Sequence, residues 1–267
     1  MDYGVSQDGL CGRPAFSRLP LMIEVDPLRA ALADIDEALW QAHFNRDYYQ
    51  GDWSGVALIA PDSQVALAHG DGPPIKRQPW LDDPRWEQGL RGLEVEIRSV
   101  RLLRLGGASH IREHRDYDLG GAEADMRLHV PLLAPEEVDF MLEDQRVPMR
   151  TGECWFLDLY RRHSVNNHGD SPRIHLVIDC RPGPWLDGRI ADGLASTPAA
   201  QAGRFNLAYG RFQRWLEERP QLLQELDALL DPEVLIERSL ALGRQQGLLF
   251  SPDQVRAALR ARRQVLR

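Results

Sequence analysis

Residues 151–180 read TGECWFLDLYRRHSVNNHGDSPRIHLVIDC, and this stretch decides the fold. Thr151-Gly152-Glu153 is turn chemistry before an apolar run over residues 154–158, too short for a helix. A further turn precedes His163-Ser164-Val165-Asn166. Residues 167–172 form a turn ending in Pro172, and residues 173–180 are a third run rich in β-branched side chains. Short runs punctuated by Gly, Asp, Asn and Pro are strands. Working outward, residues 95–105 interleave β-branched and leucine residues with arginines, and residues 126–133 make another strand. Residues 138–149 read as a hairpin about Glu143-Asp144-Gln145. Many short strands at regular spacing predict a mainly β architecture, a sandwich or barrel. A jelly roll fits well, because its funnel mouth brings side chains from non-adjacent strands around one point.

Within this β-rich stretch stands His114-Arg115-Asp116. On a strand, successive side chains alternate faces, so His114 and Asp116 point the same way and Arg115 points away. His163, from a neighbouring strand, can close the set. Two imidazoles and one carboxylate with open positions are the facial triad of non-haem Fe(II) oxygenases. Such an oxygenase needs a co-substrate to supply two electrons, and 2-oxoglutarate does so by oxidative decarboxylation. Its distal carboxylate needs a cation down the pocket, and Arg173 is placed to supply a planar fork.

Arg127 and His129 share one face of the strand at residues 126–133. An arginine and a histidine buried together serve a polar cavity, since unpaired burial is costly. The alternative is a structural arginine pairing with an acidic loop. His175 reads as a satisfied core histidine; His43, His69, His110 and His168 read as surface or loop residues. Trp155 and Phe156 are core, and Trp53 packs under a loop or lines the pocket.

The flanks differ in character. Asp26-Pro27 predicts a helix start, with Leu28, Leu32, Ile35 and Leu39 as its apolar stripe. Residues 56–59 are a short strand, and residues 60–92, rich in Pro, Gly and Asp, read as a long surface excursion able to form a lid. Residues 182–204 read as a linker. From residue 205 the spacing is helical, broken at Pro220 and restarted at Asp231-Pro232, with a capping box at Ser251-Pro252-Asp253-Gln254. Three or four short helices should result.

Composition bounds the partners. The chain has 267 residues, 43% hydrophobic and 27% charged, with a formal charge of −8. No basic field offers itself to nucleic acid. Neither a secretory pattern at Met1 to Asp8 nor an apolar run near the roughly 18 residues of a membrane span is evident. Cys11, Cys154 and Cys180 are widely spaced, which fits reduced thiols in a cytoplasmic protein.

The segments His114-Arg115-Asp116, Arg127-Leu128-His129-Val130-Pro131-Leu132, Gly152-Glu153-Cys154-Trp155-Phe156-Leu157-Asp158, His163-Ser164-Val165-Asn166 and Arg173-Ile174-His175-Leu176-Val177-Ile178-Asp179 together resemble the aspartyl/asparaginyl β-hydroxylase family. The likeness covers residues 93–181 well and residues 20–92 more loosely. It is especially similar to bacterial free-proline hydroxylases around His-Arg-Asp-Tyr and Gly-Glu-x-Trp-Phe-Leu-Asp. The resemblance implies a double-stranded β-helix that is cupin-like, with Fe(II) and 2-oxoglutarate. It implies His114, Asp116 and His163 as iron ligands, Arg173 on the distal carboxylate, and Arg127 and His129 near the co-substrate. The animal members have glycine where this chain has Asp116, so the chain sides with the complete-triad members. Residues 205–262 resemble the small helical leader domain of some ribosomally made peptide natural products, which would dock a protein partner. A helical cap on the barrel is the other reading.

The expected organisation is a dioxygenase domain over residues 1–181 (core 93–181), a linker and a helical domain over residues 205–267. The expected function is hydroxylation of an aliphatic carbon of an amino acid, free or peptide-bound, using O2. The rival is a non-catalytic metal- or ligand-binding β-barrel whose helical tail recruits a partner protein.

Overall fold

The computed structural model describes residues 13–61, 67, 72–121, 123–201 and 203–265. Cys11, His69 and the first eight residues lie outside these. The chain forms two compact units, one reaching Glu143 and resuming over Val147–Ala199, the other made of Asp144–Arg146 and the residues from Ala200 on.

The first unit begins with β1 (Phe16–Met22), α1 (Val25–Ala33), β2 (Gln41–Ala42), β3 (Tyr49–Gln50) and β4 (Trp53–Pro61). α1 starts before Asp26-Pro27 and ends at Ala33. It buries Leu28 and Ala31, while Leu39, expected on its stripe, is exposed. Gly89 explains the seat of Leu28: a Cβ there would lie 2.4 Å from a Leu28 methyl. β5 (Pro74–Lys76), α2 (Gln78–Asp82) and α3 (Arg85–Gly89) occupy the stretch expected to be a surface excursion. β5 pairs with β4, and Trp80 and Trp86 are buried in the core, so this part is packed structure rather than a lid. Two tryptophans outweigh the loop-like composition because each removes a large apolar surface from water.

Strands β6 (Ile97–Leu105), β7 (His110–His114), β8 (Met126–Leu133) and β9 (Val138–Leu142) follow. β10 (Gln145–Arg146) belongs to the second unit, where Arg146 and Gln201 exchange backbone hydrogen bonds. β11 (Glu153–Leu157), β12 (His163–Asn167) and β13 (Arg173–Cys180) complete the set, and α4 (Pro184–Leu194) closes the unit. The expected linker at residues 182–204 is therefore partly helical; Ser17 Oγ of β1 donates to the Ile190 carbonyl of α4 at 2.8 Å.

One antiparallel sheet has the order β1-β11-β8-β13-β6-β4-β2, with β5 on β4; the other runs β9-β12-β7-β3 within this unit. From β6 to β9, and again from β11 to β13, the chain crosses from one sheet to the other at each step. That alternation is a double-stranded β-helix, or jelly roll. Sheet alternation sorts the side chains. Met126, Leu128, Val130 and Leu132 of β8, with Ile174, Leu176, Ile178 and Cys180 of β13, join the core beneath the helices. The opposite face of the same strands carries Arg127, His129, Arg173, His175 and Asp179, all buried. A smaller apolar cluster, including Trp53, Leu105, Ile111, Phe140, Trp155 and Val165, packs between the two sheets. Cys154 and Cys180 are buried and unbonded, and burial pushes the Cys154 thiol up to about 12.

The second unit holds α5 (Arg204–Glu217), α6 (Pro220–Asp227), α7 (Pro232–Gln245) and α8 (Pro252–Val265). Asp231 caps α7 by accepting from the Glu233 amide at 2.9 Å, and Ser251 and Gln254 form the expected reciprocal cap. Phe212, Leu216, Leu226, Ile236, Phe250 and Val255 are its core. Among the described residues no helix is long and apolar enough to cross a membrane.

Candidate metal centre and active site

Among the described residues, one cluster can hold a metal ion: His114, Asp116 and His163, whose ligand atoms all lie within 4.8 Å of one another. His163 and His114 are directly opposed on β12 and β7. Between Ile111 and His114 the pairing shifts, since three steps on β7 match two on β12. Such an extra residue is a bulge, which re-aims a side chain. Ile111 faces the inter-sheet core, and the bulge brings His114 rather than Glu113 to that side. The strand ends at His114, so the expected strand alternation to Asp116 does not apply. Asp116 lies in the following turn at φ −90°, ψ 89°. Its amide donates to the Leu159 carbonyl at 2.9 Å, which pins the carboxylate close to His163.

Both rings are oriented from behind. His114 Nδ1 lies 2.8 Å from the Arg112 carbonyl and His163 Nδ1 3.0 Å from the Arg161 carbonyl. A carbonyl can only accept, so each Nδ1 carries the proton and each Nε2 presents a lone pair. Those Nε2 atoms lie 3.5 Å and 3.9 Å from Asp116 Oδ1. Burial pushes the His163 imidazole down to about 4, the neutral state a metal ligand requires. Asp116 Oδ2 accepts from Arg127. Burial opposes ionisation of Asp116, but Arg127 and the two imidazoles more than offset it and hold the carboxyl below its ordinary range.

Arg127 is itself anchored to Asp179, whose Oδ1 accepts from its Nε at 2.6 Å. Asp179 also accepts from Arg101 and, at 3.0 Å, from Ser99 Oγ. Arg127, Asp179 and Ser99 form one row across β8, β13 and β6.

His114, Asp116 and His163, with Arg101 and Arg127, line a cavity of about 530 Å³. Arg173 lies in its wall, 2% exposed, with no carboxylate paired to it among the described residues. Its Nε has no hydrogen-bond partner among the described residues. Burial alone lowers its guanidinium to about 9, which marks an uncompensated cation. Arg173 Nη2 donates to His175 Nδ1 at 2.9 Å, and His129 Nδ1 stands 3.2 Å from the same atom. Arginine cannot accept, so His175 Nδ1 is the acceptor and His129 Nδ1 the donor. His129 Nε2 is left buried without a hydrogen-bond partner among the described residues.

The fold thus brings His114, Asp116, His163, Arg127, His129 and Arg173 to one cavity. Sequence reasoning missed others. His43, read as a surface or loop residue, is buried and stacked on Trp53 with ring centroids 3.5 Å apart, and both line the cavity. Nothing local announces that contact. Arg115, expected to point away, also lines the cavity. Asp179 had a usable signal: a carboxylate directly after the apolar run Leu176-Val177-Ile178 demands a buried cation.

A family model described as aspartyl/asparaginyl beta-hydroxylase matches residues 28–182. The L-proline cis-4-hydroxylase of Rhizobium meliloti (strain 1021) is 36% identical over 83 residues, 31% of this chain and 29% of that protein. The chain therefore aligns with under a third of that curated relative. Among solved structures, a 2OG-Fe(II) oxygenase-family oxidoreductase from Burkholderia pseudomallei is 18% identical, with a TM-score of 0.40, over 59% of this chain and 78% of that one. A Pseudomonas putida prolyl-4-hydroxylase is 14% identical, with a TM-score of 0.38, over 63% and 93% respectively.

Proposed function

The chain belongs to the aspartyl/asparaginyl β-hydroxylase family, and on that premise we propose that it is an Fe(II)- and 2-oxoglutarate-dependent dioxygenase that hydroxylates an aliphatic carbon of an amino acid, free or peptide-bound. The observation that carries this reading is the convergence of two bare Nε2 atoms and one carboxylate oxygen on a point, and in the same cavity a buried guanidinium that no carboxylate among the described residues pairs. His114, Asp116 and His163 are the donor set that suits ferrous iron with positions left open. The metal with 2-oxoglutarate supplies the activation of O2 and the oxidative decarboxylation that drive hydroxylation.

The protein's own residues position and insulate. Arg127 fixes one oxygen of Asp116 so that the other faces the imidazoles. Its guanidinium is already held by two carboxylates, so we assign it to orienting Asp116 rather than to gripping an incoming anion. Arg173 takes the distal carboxylate of 2-oxoglutarate, and His175 sets the angle of its fork. His129 lines the wall between them. The apolar cluster between the sheets excludes water.

Under nitrogen, 2-oxoglutarate should raise the thermal midpoint only when Fe(II) or Mn(II) is present. At a hundred times Kd the stabilisation is about 2.7 kcal/mol. A shift that ignores metal, or none at all, would favour a barrel that binds without catalysis. Arg173→Lys should weaken 2-oxoglutarate binding by about tenfold to a hundredfold, because the paired hydrogen bonds are lost. Metal affinity, titrated with Mn(II), should stay unchanged. The likeness to an L-proline hydroxylase makes L-proline the first substrate to assay by succinate release. No observation favours a protein partner for the C-terminal helices.

A further inference from the structure

Four arginines line the cavity: Arg101, Arg115, Arg127 and Arg173. Three are committed. Arg101 and Arg127 are tied to Asp179, and Arg127 also to Asp116. Arg173, on the reading above, is taken by the co-substrate. Arg115 differs: no carboxylate lies within ion-pair distance of it among the described residues.

The placement of Arg115 is built rather than accidental. It is half-buried and sits between two of the proposed metal ligands in the chain. One Nη donates to the Tyr160 carbonyl at 3.1 Å, and the guanidinium carbon lies 6.0 Å from the Tyr160 ring. Tyr160 is itself held against Gly120, where a Cβ would fall 2.5 Å from the ring, and stands edge-on to Tyr117, which also lines the cavity. A guanidinium has five N–H donors in a fixed fork, and one contact leaves a bidentate edge open. Partial burial beside aromatic groups strengthens its attraction for an anion.

We propose that Arg115 clamps the substrate's own carboxylate, so that the enzyme acts on a free amino acid rather than on an internal residue of a peptide. This rests on the dioxygenase reading and narrows its substrate class. The backbone amide of a peptide carries no charge at that position and offers the fork a single carbonyl oxygen, so the charge-assisted paired bonds are lost. Trp53, Tyr48 and Phe44, which line the same cavity, supply apolar walls for the remainder of the substrate.

The test uses the Fe(II)-loaded enzyme with 2-oxoglutarate, the twenty free L-amino acids, their carboxamides and short peptides that carry each residue internally, scored by hydroxylated product. At least one free acid should be hydroxylated with kcat/KM about tenfold to a hundredfold above its amide, as expected for losing a charge-assisted pair. Arg115→Ala should collapse that acid-to-amide ratio towards one, and Arg115→Lys should restore part of it. A thermal midpoint confirms that each variant is folded, and a merely structural role for Arg115 would leave the ratio untouched. Equal use of acid and amide, product only from internal peptide residues, or an unchanged ratio in Arg115→Ala would overturn the assignment. A wild type without metal-dependent 2-oxoglutarate binding would instead bring down the reading beneath it.

Discussion

Asp116→Ala should abolish metal-dependent turnover of 2-oxoglutarate, with succinate release falling by more than the ~100-fold that loss of an outer-shell partner can cost. The donor set would drop to two imidazoles, whose Nε2 atoms now face Asp116 Oδ1 at 3.5 Å and 3.9 Å. The change also turns the local charge the wrong way. Arg127 would keep its bonds to Asp179 but present a bare N–H edge to the centre, repelling a cation. Retained succinate production would remove Asp116 from the ligand set. Metal titration followed separately would distinguish loss of binding from loss of chemistry.

The second large effect concerns stability. Asp179 is 0% exposed and serves Arg101, Arg127 and Ser99 at once. Among the described residues, Asp179→Ala would leave Arg101 with no carboxylate partner and Arg127 with only Asp116. Removing one member of a buried ion cluster costs about 3–5 kcal/mol, because the remaining charge stays desolvated. The measurement is a urea or thermal unfolding curve, and a loss below about 1 kcal/mol would mean that the arginines find other partners. A pH dependence accompanies it. Burial opposes ionisation of Asp179, but Arg101 and Arg127 outweigh it and hold the carboxyl far below its ordinary range. A depressed folded-state value means that this stabilisation is present above the unfolded value of about 3.9 and is lost as the pH falls below it. Wild type should therefore lose stability on acidification through this group, and Asp179→Ala should show less of that dependence.

Much of the barrel is legible in the chain itself. Residues 126–133 and 173–180 are bounded as expected because each is a β-branched or apolar run between turn residues, and strand length there is a local property. The apolar and polar residues of these two strands alternate, and the sheet faces follow. The excursion at residues 60–92 is not legible, since Trp80 and Trp86 gain their weight only from neighbours far along the chain. α1 likewise starts at Val25, before its expected cap, and its Leu28 is seated against Gly89, a contact remote in the chain.

The amino-acid sequence by itself determined the mainly β architecture, the polar character of one face of β8 and β13, and the chemical kinds of the donor groups. These depend on residue type and on a period of two, which any strand imposes. Only the tertiary structure decided which atoms meet. The bulge in β7 turns His114 inward, the Leu159 carbonyl draws in Asp116 from beyond the strand end, and Asp179 ties up two arginines while Arg173 and Arg115 have no carboxylate paired to them among the described residues. His43 reaches the cavity by stacking on Trp53. Each of these rests on a contact between residues remote in the chain, where burial and hydrogen-bond geometry, rather than local preference, set the energy.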